Sequence, residues 1–285
     1  MLFRAREKRV RPGWDDKVLA GWNGLTIAAL VRSSAVFDRP AWLDRAREAF
    51  DFILTNMTAS HGGVDHAWRL GRVTAAGMIE DQAAMARAAL ALHEATGEAR
   101  FLAAAERRAN ATEAAFADGH GGFYSTAADA TDVPLTRPRS AAANVTPSGN
   151  GMMAEIFARL FHLTGQPEWH TRATAVLKAF GGQPEQLTGM PTLLAAADLL
   201  EEAASVVIAG EPATAAALAR AALSAPDLAI VVLRAADTSA LPSDHPAYGK
   251  MAGMHGATAC VCRRKVCGLP ITDAAALART LGSRG

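Results

Sequence analysis

The chain has 285 residues, half of them apolar, enough for one large core or two modest ones. Its 29 Lys and Arg nearly balance 28 Asp and Glu, which argues against a nucleic-acid platform, since phosphate neutralisation needs a basic excess. No stretch is apolar for long enough to span a bilayer, and three cysteines, an odd number, imply no disulfide framework. The basic run from Met1 to Arg11 leads into Pro12, Asp15 and Asp16 rather than a signal-peptide core. A reducing cytoplasm is the expected setting, with no membrane, nucleic-acid or cofactor partner.

The dominant local signal is helical, with apolar residues three and four apart. Read by its breakers, the chain predicts helices over Lys17–Val36, Pro40–Met57, Met78–Ala95, Glu98–Ala117, Ser148–Leu163, Glu168–Phe180 and Pro191–Ala204. An internal repeat emerges. Trp42, Phe101 and Trp169 each open the second helix of a pair, and Ala46, Ala105 and Ala173 follow four residues later on the same face. The turns Thr96-Gly97 and Thr164-Gly165 each precede the aromatic by the same interval. A period of about sixty to seventy residues fits a helical hairpin, and such hairpins bury their apolar faces by stacking. The expected architecture is mainly α, an incomplete α/α toroid over residues 1–204. Long connectors, Thr58–Gly77 and Asp118–Pro147, join successive hairpins and are expected to gather round one mouth. In the second of them, Gly121 to Thr126 reads as a short strand.

After Ala204 the texture changes. Ser205–Gly210 and Leu228–Leu233 read as buried strands flanking a helix over Thr214–Leu223, a small βαβ unit. A further strand over Thr258–Cys262 and a helix over Asp273–Leu281 complete a small α/β tail, residues 205–285.

Several polar groups stand where the helices begin. Asp15, Asp16 and Lys17 open the first predicted helix, with Trp22, Asn23 and Gly24 a turn later, and Glu80-Asp81 opens the third. Acids at helix starts serve as caps. Two such pairs converging on one mouth would instead suit general acid–base work on a sugar. His66, Trp68 and Arg69 lie on the connector before Glu80, a polar–aromatic cluster of the kind that furnishes carbohydrate sites. Ser148, Gly149 and Asn150 open the fifth helix, where Ser148 is a natural cap and free amides could meet a hydroxyl. The Gly-Lys-Ser/Thr of a phosphate loop is missing. Cys260, Cys262 and Cys267 cluster beside Arg263, Arg264 and Lys265. Their spacing matches no usual zinc hairpin, and His255 is the one nearby fourth ligand, so buried thiols are expected and no metal is assigned.

Four strings together carry a family resemblance: Arg11-Pro12-Gly-Trp-Asp15-Asp16-Lys17-Val-Leu-Ala-Gly-Trp22-Asn23-Gly24-Leu25, Glu80-Asp81-Gln82-Ala83, Pro147-Ser148-Gly149-Asn150, and Ala259-Cys260-Val-Cys262-Arg-Arg-Lys-Val-Cys267-Gly-Leu-Pro270-Ile-Thr-Asp273. The chain resembles the spermatogenesis-associated, thioredoxin-domain-containing protein family. That resemblance implies a helical part similar to six-hairpin glycosidases and N-acylglucosamine 2-epimerases, preceded by a thioredoxin-like domain that this chain does not begin with. It therefore implies a truncated or split protein. The chain departs from the family at Gln82, at Asn144-Val-Thr146 and at Ala259. About three and a half hairpins are present, too few for a closed ring.

The functional expectation is a carbohydrate-active or carbohydrate-binding protein, epimerase- or hydrolase-like if catalytic. Asp15, Asp16, Glu80 and Asp81 are the candidate catalytic carboxylates. Lys17, Trp22, Asn23, His66, Trp68, Arg69, Ser148 and Asn150 are the candidate substrate contacts, and a small carbohydrate is the candidate ligand. The alternative is a non-catalytic or redox-accessory module working with a thioredoxin-like partner.

Overall fold

A computed structural model of the chain describes residues 1–59, 62–131, 135–182, 184–235, 238, 241, 245, 247–252, 256–264 and 266–282. His255 and Lys265, singled out above, lie outside the described residues.

Helix α1 (Leu2–Glu7) buries nothing. Strand β1 (Val18–Leu19) leads into α2 (Ala20–Val36) and α3 (Pro40–Asn56). The hairpin β2 (Ala67–Arg69) and β3 (Arg72–Ala75) precedes α4 (Ile79–Thr96) and α5 (Ala99–Phe116). Then come α6 (Gly149–Thr164), α7 (Pro167–Phe180) and α8 (Pro191–Glu202).

Helices α2, α4, α6 and α8 pack on one another in succession, and α3, α5 and α7 each return along the outside of the preceding helix. Burial follows this arrangement. α4 and α6 are buried along nearly their whole length, whereas α3 buries one stripe, Ala46, Phe50 and Ile53. The chain is thus an inner row of helices backed by an outer row, an incomplete α/α toroid. The repeat explains the joints. Gly97 and Gly165 end α4 and α6 in the left-handed region, at φ 75° and 72°, where a side chain would be strained. Phe101 and Trp169 are fully buried, and Ala46, Ala105 and Ala173 are each 0% exposed. Trp42, on the outer helix of the first hairpin, stays partly exposed and meets Phe37 edge-on.

Small residues set how closely the inner helices approach. A Cβ on Gly24 would lie 2.6 Å from the Ala84 backbone, and one on Gly149 would lie 2.5 Å from Ile79. Glycine at these positions therefore lets α2 and α6 close on α4, and the Asn-Gly pair in α2 is a packing device before it is anything else.

The tail begins at β4 (Ala204–Ala209) and continues through α9 (Pro212–Leu223), β5 (Ile230–Ala235), β6 (Thr258–Arg263), β7 (Val266–Cys267) and α10 (Ala274–Leu281). The sheet order is β5-β4-β6-β7, with β4 and β5 parallel across α9 and β6 and β7 antiparallel. Alternation splits its residues between two cores. Val207, Val231, Leu233, Cys260 and Cys262 join the core of the helical repeat, while Val206, Ile208 and Val232 pack under α9 and α10.

Strand β5 ends the sheet against the inner helices, and charged side chains supply its missing neighbour. Val232 N–H donates to Glu94 Oε2 at 3.0 Å, and Arg159 donates to the Ile230 and Leu228 carbonyls at 3.1 Å. Arg159 also meets Glu94 and Glu155 at 3.1 Å each, and Arg87 lies 3.4 Å from Glu155. Buried backbone groups must find partners, and here an ion network from α4 and α6 provides them.

Two expectations need correction. The first long helix starts at Ala20, not Lys17, because Val18 and Leu19 pair with Trp68 and Ala67 as strands. Segment 121–126 forms single bridges, Ala117 to Phe123 and Met78 to Thr126, instead of a strand.

Candidate functional site

The connector before α4 folds back as β2–β3, and β1 adds to it, so three strands lie across the N-terminal ends of α2 and α4. The Ala20 amide donates to the His66 carbonyl at 2.9 Å and anchors this sheet to the start of α2.

Asp81 is the centre of the arrangement. It is 2% exposed, and its carboxylate accepts from the Gly21 amide at 2.8 Å and the Met78 amide at 2.9 Å. His66 Nδ1 lies 2.9 Å from Oδ2 and 3.1 Å from Oδ1. A carboxylate only accepts, so Nδ1 is the donor to Asp81 and Nε2 is the ring nitrogen not engaged by it. The His66 side chain is 37% exposed, open to an incoming ligand. Gly21 is required here, because a Cβ would stand 2.9 Å from Asp81 Oδ1.

Glu80 sits beside this pair, half-buried. Burial pushes its carboxyl above the ordinary range and Asp81 adds to that, while its own amide, the Gly149 amide and His66 pull the other way. A carboxyl raised in this manner favours its protonated form more than an ordinary carboxyl does.

Glu80 also heads the inward stripe of α4. Seven-residue steps carry that stripe to Arg87 and Glu94, about 10 Å per step. Arg87 and Glu94 line a cleft of about 900 Å³ between the inner helices and the tail, together with Leu25, Arg32, Arg159 and Asp198. The acid–base cluster therefore stands about two turns above the cleft wall. Burial lowers the affinity of Arg32 for its proton, and Arg159 and Arg87 nearby act in the same direction.

The other sequence candidates are distributed as follows. Asp15 and Asp16 precede β1 on an exposed segment and cap no helix. Asp16 is paired with Arg69, whose side-chain hydrogen bond holds its carboxyl below the ordinary range, and Lys17 lies 3.4 Å from Asp15. Trp22 is 65% exposed in the first turn of α2, next to Gly21. Trp68 packs edge-on to Phe52 at 5.2 Å. Asn23 donates to the Leu19 carbonyl. Ser148 caps α6 by accepting from Gly151. Asn150, 1% exposed, bonds both backbone groups of Phe123 and the Ser140 carbonyl, so its amide is spent on holding the connector. Gln82 does the same for Val64, through its N–H and its carbonyl.

The structure thus brings His66, Glu80 and Asp81 together and leaves Asp15 and Asp16 on the rim. The charged lining of Arg32, Arg87, Glu94, Glu155 and Arg159 was not foreseen. Its signal was present in the seven-residue spacing of Glu80, Arg87 and Glu94 and the four-residue spacing of Glu155 and Arg159.

These features define a partial α/α toroid with His66, Glu80 and Asp81 gathered at the N-terminal ends of its inner helices. The chain is homologous to spermatogenesis-associated protein 20 over nearly its whole length. It is 27% identical to the Homo sapiens protein over 306 aligned positions, covering 98% of this chain and 38% of that protein. With the Rattus norvegicus protein the identity is 30% over 224 positions, 74% of this chain and 28% of that protein. The chain therefore matches well under half the length of these relatives, 38% of one and 28% of the other. No family model matches it. Among solved structures it is similar to a glycoside hydrolase family 76 α-mannanase of Bacteroides thetaiotaomicron, with TM-score 0.49, 17% identity, and 60% of this chain and 45% of that one covered. It is also similar to a cellobiose 2-epimerase of Bacillus thermoamylovorans, with TM-score 0.49, 13% identity, and 59% and 45% covered.

Proposed function

We propose that the chain acts on a small carbohydrate by proton transfer, with His66 as base and Glu80 as acid. The observation that supports this is the engagement of Asp81. Its oxygens are occupied by two backbone amides and His66, so it orients the imidazole and is not free to attack or to activate water. Two-carboxylate glycoside hydrolysis needs a second free carboxyl across the scissile bond. Asp16 is tied to Arg69 and Asp15 lies beside Lys17 on the exposed segment before β1, which leaves Glu80 as the one candidate carboxyl beside His66 that does not orient it.

A histidine base with a protonated carboxyl suits isomerisation or epimerisation of a reducing sugar. His66 Nε2 takes the proton from the carbon next to the carbonyl. Glu80 gives its proton to the carbonyl oxygen, and an enediol results. The protonated His66 then returns its proton to one of the two enediol carbons while the Glu80 carboxylate takes back a hydroxyl proton, which gives the isomer or epimer and resets both groups. Trp22 supplies an apolar face for the ring, and the charged cleft below Glu80 supplies partners for hydroxyls.

The test is a panel of aldoses and ketoses followed by NMR, with His66→Gln, Glu80→Gln and Asp16→Asn. Turnover lost in the first two and kept in the third supports the reading. No binding to any sugar sinks it and favours the non-catalytic module with a thioredoxin-like partner, for which the observation at hand is the Cys262–Cys267 disulfide.

A further inference from the structure

The three cysteines were expected as thiols. Instead Cys262 and Cys267 are joined in a disulfide across β6 and β7, and Cys260 is the buried free thiol. The bond lies away from the acid–base cluster, and the inference that follows does not depend on the sugar reading.

We propose that the Cys262–Cys267 pair is a redox-exchangeable site that takes a dithiol as its reductant and, when opened, releases β7 from the edge of the sheet.

Four observations support it. The bond closes a loop of sequence separation five, and short loops gain least from cross-linking, so its worth as a structural staple is limited. Strand β7 is two residues long and registers only Cys267 with Cys262 and Val266 with Arg263; beyond it the Gly268 amide bonds the Val261 carbonyl, and the chain is next tied to β6 by the Ile271–Ala259 bridge, which is expected to stay closed when β7 is released. The hairpin turn is unfavourable, because Arg264 sits at φ 54°, in the left-handed region that glycine or asparagine favours. The disulfide therefore holds a pairing that the local sequence does not. Finally, access is one-sided. Cys262 is 3% exposed within the core shared with the helical repeat, while Cys267 packs against that core from the sheet edge and is only half-buried.

That asymmetry sets the order of steps. A donor thiolate attacks Cys267 Sγ, a donor–Cys267 disulfide forms, and the Cys262–Cys267 bond breaks. Cys262 leaves as a thiolate and takes a proton. The donor's second thiolate then attacks its own sulfur in the mixed disulfide and releases Cys267, which is protonated in turn. Two electrons and two protons pass, the chain ends with two thiols, and the donor ends as a disulfide. Cys260 takes no part, since burial pushes its thiol up and keeps it protonated, with Lys250 pulling weakly the other way.

The experiment uses the full chain equilibrated in glutathione buffers from mostly oxidised to mostly reduced, or treated with dithiothreitol. Differential alkylation with mass spectrometry reads each cysteine, and amide exchange reads β7. Cys262 and Cys267 are expected to titrate together while the chain stays folded, with Cys260 unlabelled. The Val266 and Gly268 amides should exchange at least about tenfold faster after reduction, with Val206 and Val232 unchanged. A chain with both Cys262→Ala and Cys267→Ala should match the reduced protein at β7. A pair that alkylates fully in oxidising buffer, a pair that opens only when the chain unfolds, or β7 exchange that is the same in both states would each overturn the proposal.

Discussion

Arg159→Met removes one of the side chains that join the tail to the inner helices. In the native chain Arg159 is hydrogen-bonded or ion-paired to Glu94, Glu155, Ile230 O and Leu228 O, all at 3.1 Å, with its side chain 14% exposed. Methionine fills much of the volume but takes from Glu94 its ion-pair partner and from the Ile230 and Leu228 carbonyls their Arg159 donor. Breaking a buried ion pair from one side costs about 3–5 kcal/mol. With a urea slope of about 3 kcal/mol per M for a chain of this size, the midpoint should fall by about 1 M or more. A second variant separates edge capping from simple pairing. Arg159→Met with Glu94→Leu removes both charges of that arm, which would restore stability if ion pairing were the whole story. It also leaves Val232 N–H and Ile230 O unsatisfied, at about 1–3 kcal/mol each. The double variant is therefore expected to stay well below wild type, and the Val232 amide to lose protection. Urea titration and hydrogen exchange read both effects. A single variant within about 1 kcal/mol of wild type, or a double variant restored to it, would refute the edge-capping account.

Other outcomes follow from the same geometry. Gly24→Ala should cost about 1–3 kcal/mol, read by thermal melting, because the new methyl meets the Ala84 backbone at 2.6 Å. For Glu155, burial alone would raise the carboxyl, but Arg87 and Arg159 outweigh it and hold it below the ordinary range. A depressed carboxylate contributes stability above its unfolded pKa of about 4.3, and that is lost as pH falls through the folded value, so acid unfolding should set in less abruptly in Glu155→Gln. Glu80 has the opposite sign. Its raised carboxyl, with burial as the main cause, costs stability once pH exceeds the unfolded value, so Glu80→Gln should be at least as stable as wild type at pH 7 while losing turnover.

Much of the fold was legible because repetition reinforces weak signals. Gly97 and Gly165 punctuate alike, Phe101 and Trp169 are buried alike, and a helix boundary missed in one hairpin is corrected by the next. The βαβ unit was legible because β4 and β5 are continuous apolar runs around an Ala-rich helix. What escaped was non-local. Nothing near Lys17 announces that Val18 will pair with Trp68, fifty residues on, so the first helix was begun too early. The same pairing moved Asp15 and Asp16 from a helix end to the rim. At the site, Glu80 and Asp81 were readable as acids at a helix start. Their division of labour was not, since it depends on Gly21 and His66 arriving from two other segments. The sequence offered Cys262 and Cys267 without indicating which would pair, because an odd count leaves the choice to strand register.

Proton transfer through His66 is tested most directly by solvent isotope. The protein is incubated in D2O with the sugar that the panel selects, and the hydrogen on the carbon beside the carbonyl is followed by NMR. Deuterium should appear at that carbon with the wild-type chain, and the rate should fall at least about a hundredfold in His66→Gln and in Asp81→Asn, where the imidazole loses its orientation. Turnover without deuterium uptake, or uptake undiminished in His66→Gln, would contradict the account.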